Sequence, residues 1–220
     1  EYFTNPVNIK LDGKDNVYVV NIKPDYIQKF DSTGEFITRW KPDDIIKDFA
    51  IDCNDIIYTI YFPDIILLSK LEVAKPQIIS LERPGFLESI VVDSIGYIYL
   101  ACDITGDAAY YGALRFSFTD PKYLQSYLCI QKFDTSFNVI KEWWSADKEK
   151  PFSGYFTEDG IAAIVELGID SKDNIYVSVR RNNQIQKFDS NGNFISKFGT
   201  KGSGDGEFNQ PGSIAIDRDG

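Results

Sequence analysis

One phrase recurs four times along this chain and begins a fifth time, and an internal period restricts the fold more than any other property of a sequence. Its opening reads Pro6-Val-Asn-Ile-Lys-Leu-Asp12, Asp48-Phe-Ala-Ile-Asp52, Ile90-Val-Val-Asp93, Leu167-Gly-Ile-Asp170 and Pro211-Gly-Ser-Ile-Ala-Ile-Asp217. A second element follows as Asn16-Val-Tyr18, Ile56-Ile-Tyr58, Tyr97-Ile-Tyr99 and Asn174-Ile-Tyr176. The third reads Ile27-Gln-Lys-Phe-Asp31, Leu68-Ser-Lys-Leu-Glu72, Ile130-Gln-Lys-Phe-Asp134 and Ile185-Gln-Lys-Phe-Asp189. A fourth closes the unit, as in Phe36-Ile-Thr-Arg-Trp40 and Phe194-Ile-Ser-Lys-Phe198. Runs of Ile, Val, Tyr and Phe suit a covered pleated surface, and the Asp, Asn, Ser and Gly between them supply turns. Each copy therefore reads as four short strands.

The turn aspartates Asp12, Asp52, Asp93, Asp170 and Asp217 follow one another at intervals of 40, 41, 77 and 47 residues. About 40 residues carrying four strands is the unit of a β-propeller blade. The expected fold is all-β, a propeller of four-stranded antiparallel blades. Its blades run over residues 6–44, 45–84, 85–159 and 160–211, and a fifth starts at 212–220. Five first strands stand against four copies of the rest, so the chain is expected to be a segment of a longer protein.

The phrase resembles that of the NHL-repeat β-propellers, roughly P-x-G-I-A-I-D-x-x-G-N-I-Y-V followed by I-Q-K-F-D-x-x-G-x-F. The segment from Gly168 to Gly220 matches best, and it includes a linker from Phe198 to Pro211 like the family's interblade connection. The resemblance implies a six-bladed ring. It also implies three functions to weigh: a binding scaffold, a calcium-dependent lactonase-like hydrolase, and RNA binding as in some members.

The repeat is broken in two places, and such departures inform on function because packing already explains the shared positions. Asp93 to Asp134 is a step of 41 residues, where Asp12 to Asp31 is 19, so about 22 residues enter the third blade between its second and third strands. This aromatic insertion, 103–128, holds Tyr110, Tyr111, Arg115, Phe116, Phe118 and Tyr123. A second expansion lies between Trp144 and Gly160 and adds Phe152, Tyr155 and Phe156. Strand direction alternates within a blade, so both expansions leave by the same rim while the Asp-rich turns occupy the other. Aromatic loops on a rigid scaffold bury large area on a partner. The same rings would equally make a satellite core under a long loop.

Composition removes several chemistries. The chain has no His, which takes away the commonest general base and zinc ligand, and with it a zinc lyase of related propellers. With 23 Lys+Arg against 33 Asp+Glu the net charge is −10, opposed to nucleic acid as a partner. No run approaches the roughly 20 apolar residues of a membrane span, so membrane insertion is not expected.

Cys102 and Cys129 align at the neck of the insertion, facing each other across the hairpin. Two readings stand, a pair of buried thiols or a disulfide closing about 26 residues, worth roughly 3 kcal/mol through the unfolded chain. A bridge would place the protein in an oxidising compartment, extracellular or in the cell envelope. Cys53 has no partner in the pattern. The Asp-rich turns lack the bidentate Glu of a calcium loop and read as Asx turns.

The leading expectation is a non-catalytic module that binds a protein or small ligand on the insertion-bearing rim, without cofactor or metal. Its contacts would be Tyr110, Tyr111, Arg115, Phe116, Phe118, Tyr123, Trp144, Arg180 and Arg181. The alternative is the calcium lactonase, for which Glu88 and Glu166 are the nearest ligands.

Overall fold

A computed structural model describes residues 5–23, 25–42, 45–61, 65–69, 77–79, 86–105, 125–144, 152–153 and 166–217. These residues form four antiparallel sheets, one per repeat. Blade one is β1 (Pro6–Leu11), β2 (Val17–Asn21), β3 (Tyr26–Phe30) and β4 (Phe36–Trp40), and blade two is β5 (Ile46–Ile51), β6 (Ile57–Tyr61), β7 (Ile65–Ser69) and β8 (Gln77–Ile79). Blade three is β9 (Phe86–Val92), β10 (Ile98–Thr105), β11 (Gln125–Phe133) and β12 (Val139–Trp144), with β13 (Phe152–Ser153) added on β11. Blade four is β14 (Leu167–Ile169), β15 (Ile175–Val179), β16 (Gln184–Phe188) and β17 (Phe194–Phe198).

Consecutive blades pack face to face, and a separate core fills each junction. Tyr18, Val20, Phe49 and Ile57 join blades one and two. Tyr58, Leu87, Ile90 and Leu100 join two and three. Tyr99, Trp143, Val177 and Phe188 join three and four. A strand covered on both faces has no reason to alternate, and β6 is buried at all five positions. Where no blade covers a face the same phrase is left in solvent: Val7, Ile9 and Leu11 of β1 are 49%, 63% and 60% exposed. The first strands lie innermost and β4, β8, β12 and β17 end the sheets outside.

Two details differ from the sequence alignment. In blade two the register pairs Ile60 with Ile66 and Tyr61 with Ile65, where the repeat places Leu68 opposite Ile60. That hairpin closes two residues sooner than the phrase suggests, bringing Leu68 opposite Tyr58 where the other blades carry a lysine. Residues 212–217 join no ladder among the described residues. They still pack on blade four: a Cβ on Gly168 would meet Ile214 at 2.8 Å and Ile216 at 2.9 Å.

Candidate functional site

The two expansions of the repeat converge on one place. β10 and β11 continue past Cys102 and Cys129 by three more pairs, Asp103 with Leu128, Ile104 with Tyr127 and Thr105 with Ser126. β13, which belongs to the second expansion, pairs antiparallel with β11 through Gln125–Ser153 and Ser126–Phe152. Backbone hydrogen bonds thus tie the link between blades three and four to the base of the third-blade insertion. Tyr110, Tyr111, Arg115, Phe116, Phe118 and Tyr123 lie outside the described residues. Trp144 ends β12 opposite Cys129.

Arg180 and Arg181 occupy a 3-10 turn, Arg180–Asn182, at the same end of blade four. Arg180 is half-buried, and its Nη2 donates to Oε1 of Gln210 at 3.0 Å. Asn183, with φ of 53°, caps the turn, and its Oδ1 accepts the Gln210 N–H at 2.8 Å. The hairpin of blade four therefore holds the linker into the following segment, a role the sequence did not disclose because Gln210 lies 30 residues from Arg180.

Cys102 and Cys129 are direct cross-strand partners, 2% and 0% exposed. Both stand as thiols, and Cys102 Sγ donates to the Cys129 carbonyl at 3.3 Å. Cys53 is an exposed thiol in the turn after β5.

First strands begin on this rim, and each of β1, β5 and β9 carries a one-residue bulge there, at Val7, Lys47 and Glu88. A bulge turns its residue away from the ladder and re-aims it. Lys47 Nζ reaches Glu88 Oε1 at 3.3 Å across the junction of blades two and three. Just below runs a polar chain through the innermost strands. Asn8 Nδ2 donates to Asp48 Oδ1 at 2.7 Å, Ser89 Oγ donates to Asp48 Oδ2 at 2.8 Å, and the Leu167 N–H donates to Ser89 Oγ at 3.2 Å. Asp48 also accepts the N–H groups of Phe49 at 2.8 Å and Ile90 at 3.0 Å, with Lys10 Nζ at 3.7 Å. Asn8, Asp48 and Ser89 each stand four residues before a turn aspartate, so the register of the repeat was the signal for this belt. Glu166 holds the corresponding place in blade four, and its carbonyl accepts the Ser178 N–H at 2.9 Å.

The opposite rim is built for cohesion. In all four blades the turn aspartate accepts backbone N–H groups two and four residues on: Lys14 and Asn16, Asn54 and Ile56, Ile95 and Tyr97, Lys172 and Asn174. The tyrosine six residues on then points its hydroxyl at the other carboxylate oxygen, in Tyr18, Tyr58, Tyr99 and Tyr176. Lys29 and Lys187 complete the group on Asp12 and Asp170, at 3.3 and 3.1 Å. Burial alone would raise these carboxyls, but for Asp12 the hydrogen bonds from Asn16, Lys14 and Lys29 outweigh it and bring it to about 2. Asp170 comes to about 2 in the same way, through Asn174, Lys187 and the Lys172 N–H. Tyr58 and Tyr99 are pushed up, first by burial and then by the charge of Asp52 and Asp93.

Blade three varies the theme. Lys132 Nζ stands 3.8 Å from Asp93, donates to the Ser190 carbonyl of the next blade at 2.9 Å, and lies over the rings of Tyr97 and Tyr99. Burial lowers its pKa against the attraction of Asp93. Second acidic residues of the turns also clasp neighbours: Asp55 binds Lys14 at 2.9 Å and Asp173 accepts from Ser94 Oγ at 2.7 Å. Asp15, Asp55 and Asp173 all sit at positive φ. Among the described residues no group of three or more His, Cys, Asp or Glu side chains is placed to hold a metal ion.

Comparisons with known proteins agree with this architecture. A family model described as a 6-bladed beta-propeller, DUF5128, matches residues 160–220. No curated protein sequence matches the chain. A streptogramin B lyase structure is similar at 14% identity with a TM-score of 0.54, over 89% of this chain and 55% of that one. The hydrazine synthase of Kuenenia stuttgartiensis is similar at 13% identity with a TM-score of 0.57, over 84% of this chain and 53% of that one. A protein of unknown function from Bacteroides caccae aligns at 9% identity, TM-score 0.46, over 86% and 56%. The chain thus spans about half the length of the structures it matches. At these identities the likeness is one of fold: the chain is built of β-propeller blades, in agreement with a six-bladed class.

Proposed function

We propose that the chain is a non-catalytic binding module of NHL type whose working surface is the rim around the extended hairpin of blade three. The observation that carries this reading is the pairing of β13 with β11, which draws both departures from the repeat to one edge of one blade. Tyr110, Tyr111, Phe116, Phe118 and Tyr123 serve as its apolar anchors, with Arg115 and Trp144 as further contacts, and the ligand is a protein or small molecule. Buried aromatic anchors supply most of the affinity of such surfaces. The NHL assignment draws its support from the phrase between Gly168 and Gly220, and a bridge between Cys102 and Cys129 would accord with an extracellular or cell-envelope location.

The calcium-lactonase alternative gains nothing from Glu88, whose carboxylate is held by Lys47 at 3.3 Å. To test the binding reading, residues 106–124 are replaced by Asn-Gly, so that Asn, Gly and Gln125 close the β10–β11 ladder beyond the Thr105–Ser126 pair as a three-residue turn. Native and replaced chains are then immobilised and their captured proteins and metabolites identified by mass spectrometry. Ligands held by the native chain and lost from the replaced one support the surface; an unchanged set overturns it.

A further inference from the structure

We propose that Cys102 and Cys129 form a reversible cross-strand disulfide, a covalent lock on the hairpin that carries residues 106–124. This does not rest on the binding reading.

Three observations place the lock. The two residues are Cα partners in the β10–β11 ladder, so their side chains share one face of the sheet. Cys102 Sγ already lies against its partner residue, 3.3 Å from the Cys129 carbonyl. The position is specific to the blade with the long insertion: the equivalent pairs are Asn21 with Tyr26, Tyr61 with Ile65 and Val179 with Gln184.

The oxidant is a low-molecular-weight disulfide of the glutathione type. One cysteine thiolate attacks a sulfur of that disulfide, forms a mixed disulfide and releases one small thiol. The second thiolate then attacks the cysteine sulfur of the mixed disulfide, closing Cys102–Cys129 and releasing the second thiol. Two protons leave the protein, the cysteines are oxidised by two electrons, and the small disulfide is reduced. Both sulfurs are buried in the core between blades two and three, so exchange proceeds when the hairpin opens from its rim end.

The bond is labile for a geometric reason. Cβ atoms of directly opposed residues in adjacent strands lie about 4.5–5.5 Å apart, while a relaxed disulfide holds them at roughly 3.5–4.5 Å. A bridge that draws them together is strained and easier to reduce than an ordinary structural one. Cys53 does not compete. It sits at the opposite rim, and Cys102 is five residues along β10 from Tyr97, about 16 Å up the strand.

The experiment uses the full chain as Cys53→Ser and, as a second sample, the native chain with Cys53 alkylated in the folded state. Each is equilibrated in glutathione buffers from fully reduced to fully oxidised, quenched in acid and alkylated after unfolding. In the acid-quenched samples before alkylation the lock predicts an intact mass lower by about 2 Da, and after alkylation a linked Cys102–Cys129 peptide free of alkyl groups that appears and disappears within the glutathione range. Amide exchange at 103–105 and 126–128 slows at least about fivefold in the oxidised form. Alkylation of both thiols from every buffer would overturn the bridge. A linked peptide that persists at equilibrium in excess reduced glutathione would overturn its reversibility.

Discussion

At the scale of single residues, the recurring aspartates act through geometry that a chemical reading of their charge would misassign. Asp12 and Asp170 each accept two backbone N–H groups and an asparagine amide, with a lysine beside them. A carboxyl depressed from 3.8 to about 2 stabilises the fold fully above the unfolded value and loses that contribution as pH falls toward 2. Each is worth about 2 kcal/mol at neutral pH. Asp170→Asn should therefore lower the stability measured by urea unfolding by about 2 kcal/mol at pH 7, with the deficit shrinking toward zero near about pH 2. A deficit constant across that range would mean that packing, not charge, is lost. A second residue-scale prediction separates strain from contact. Gly192 has φ of +73°, and a Cβ there would meet Trp143 at 2.6 Å, whereas Gly206 has φ of +76° with nothing within 4 Å. Gly192→Ala should cost roughly 2–4 kcal/mol and Gly206→Ala about 1, read from urea midpoints. Equal costs would show that the backbone angle alone decides. The Asx turns were legible in the sequence because Asp-x-x-Asp-Asn recurs; the clasp of Trp143 on Gly192 was not, since it joins residues of different blades.

At the scale of elements, the first strands do more than line the axis. Their bulges at Val7, Lys47 and Glu88 lie where each strand enters from the insertion-bearing rim, and the residue that follows carries the polar belt. Asp48 is the hub, accepting from blade one through Asn8 and from blade three through Ser89 and Ile90. Removing a buried carboxylate strands every donor aimed at it, which costs more than losing one donor. Asp48→Ala is expected to destabilise by about 3–5 kcal/mol and Ser89→Ala by about 1 kcal/mol in chemical denaturation. Similar values for both would remove Asp48 from its hub position. Strand identity and order were readable from apolar periodicity, but a bulge changes register by one residue without changing composition. For the same reason the early closure of β6 and β7 escaped the repeat: Ile65, Ile66, Leu67 and Leu68 offer apolar partners in either register.

Across the whole molecule, three interblade cores of similar make-up hold four sheets in sequence. The period, the four strands per copy and the side on which the expansions leave all followed from spacing, because repeat packing is nearly one-dimensional. The partner did not follow, since aromatic side chains serve a core and an interface alike. Where function resides is settled best by the equilibrium affinity of a captured ligand for three proteins: the native chain, the chain with 106–124 replaced by Asn-Gly, and a Lys14→Ala variant on the opposite rim. The replacement is expected to weaken binding at least about tenfold, with the opposite-rim variant within about twofold of native. Full affinity without 106–124, or loss confined to the Lys14 variant, would place the working surface elsewhere.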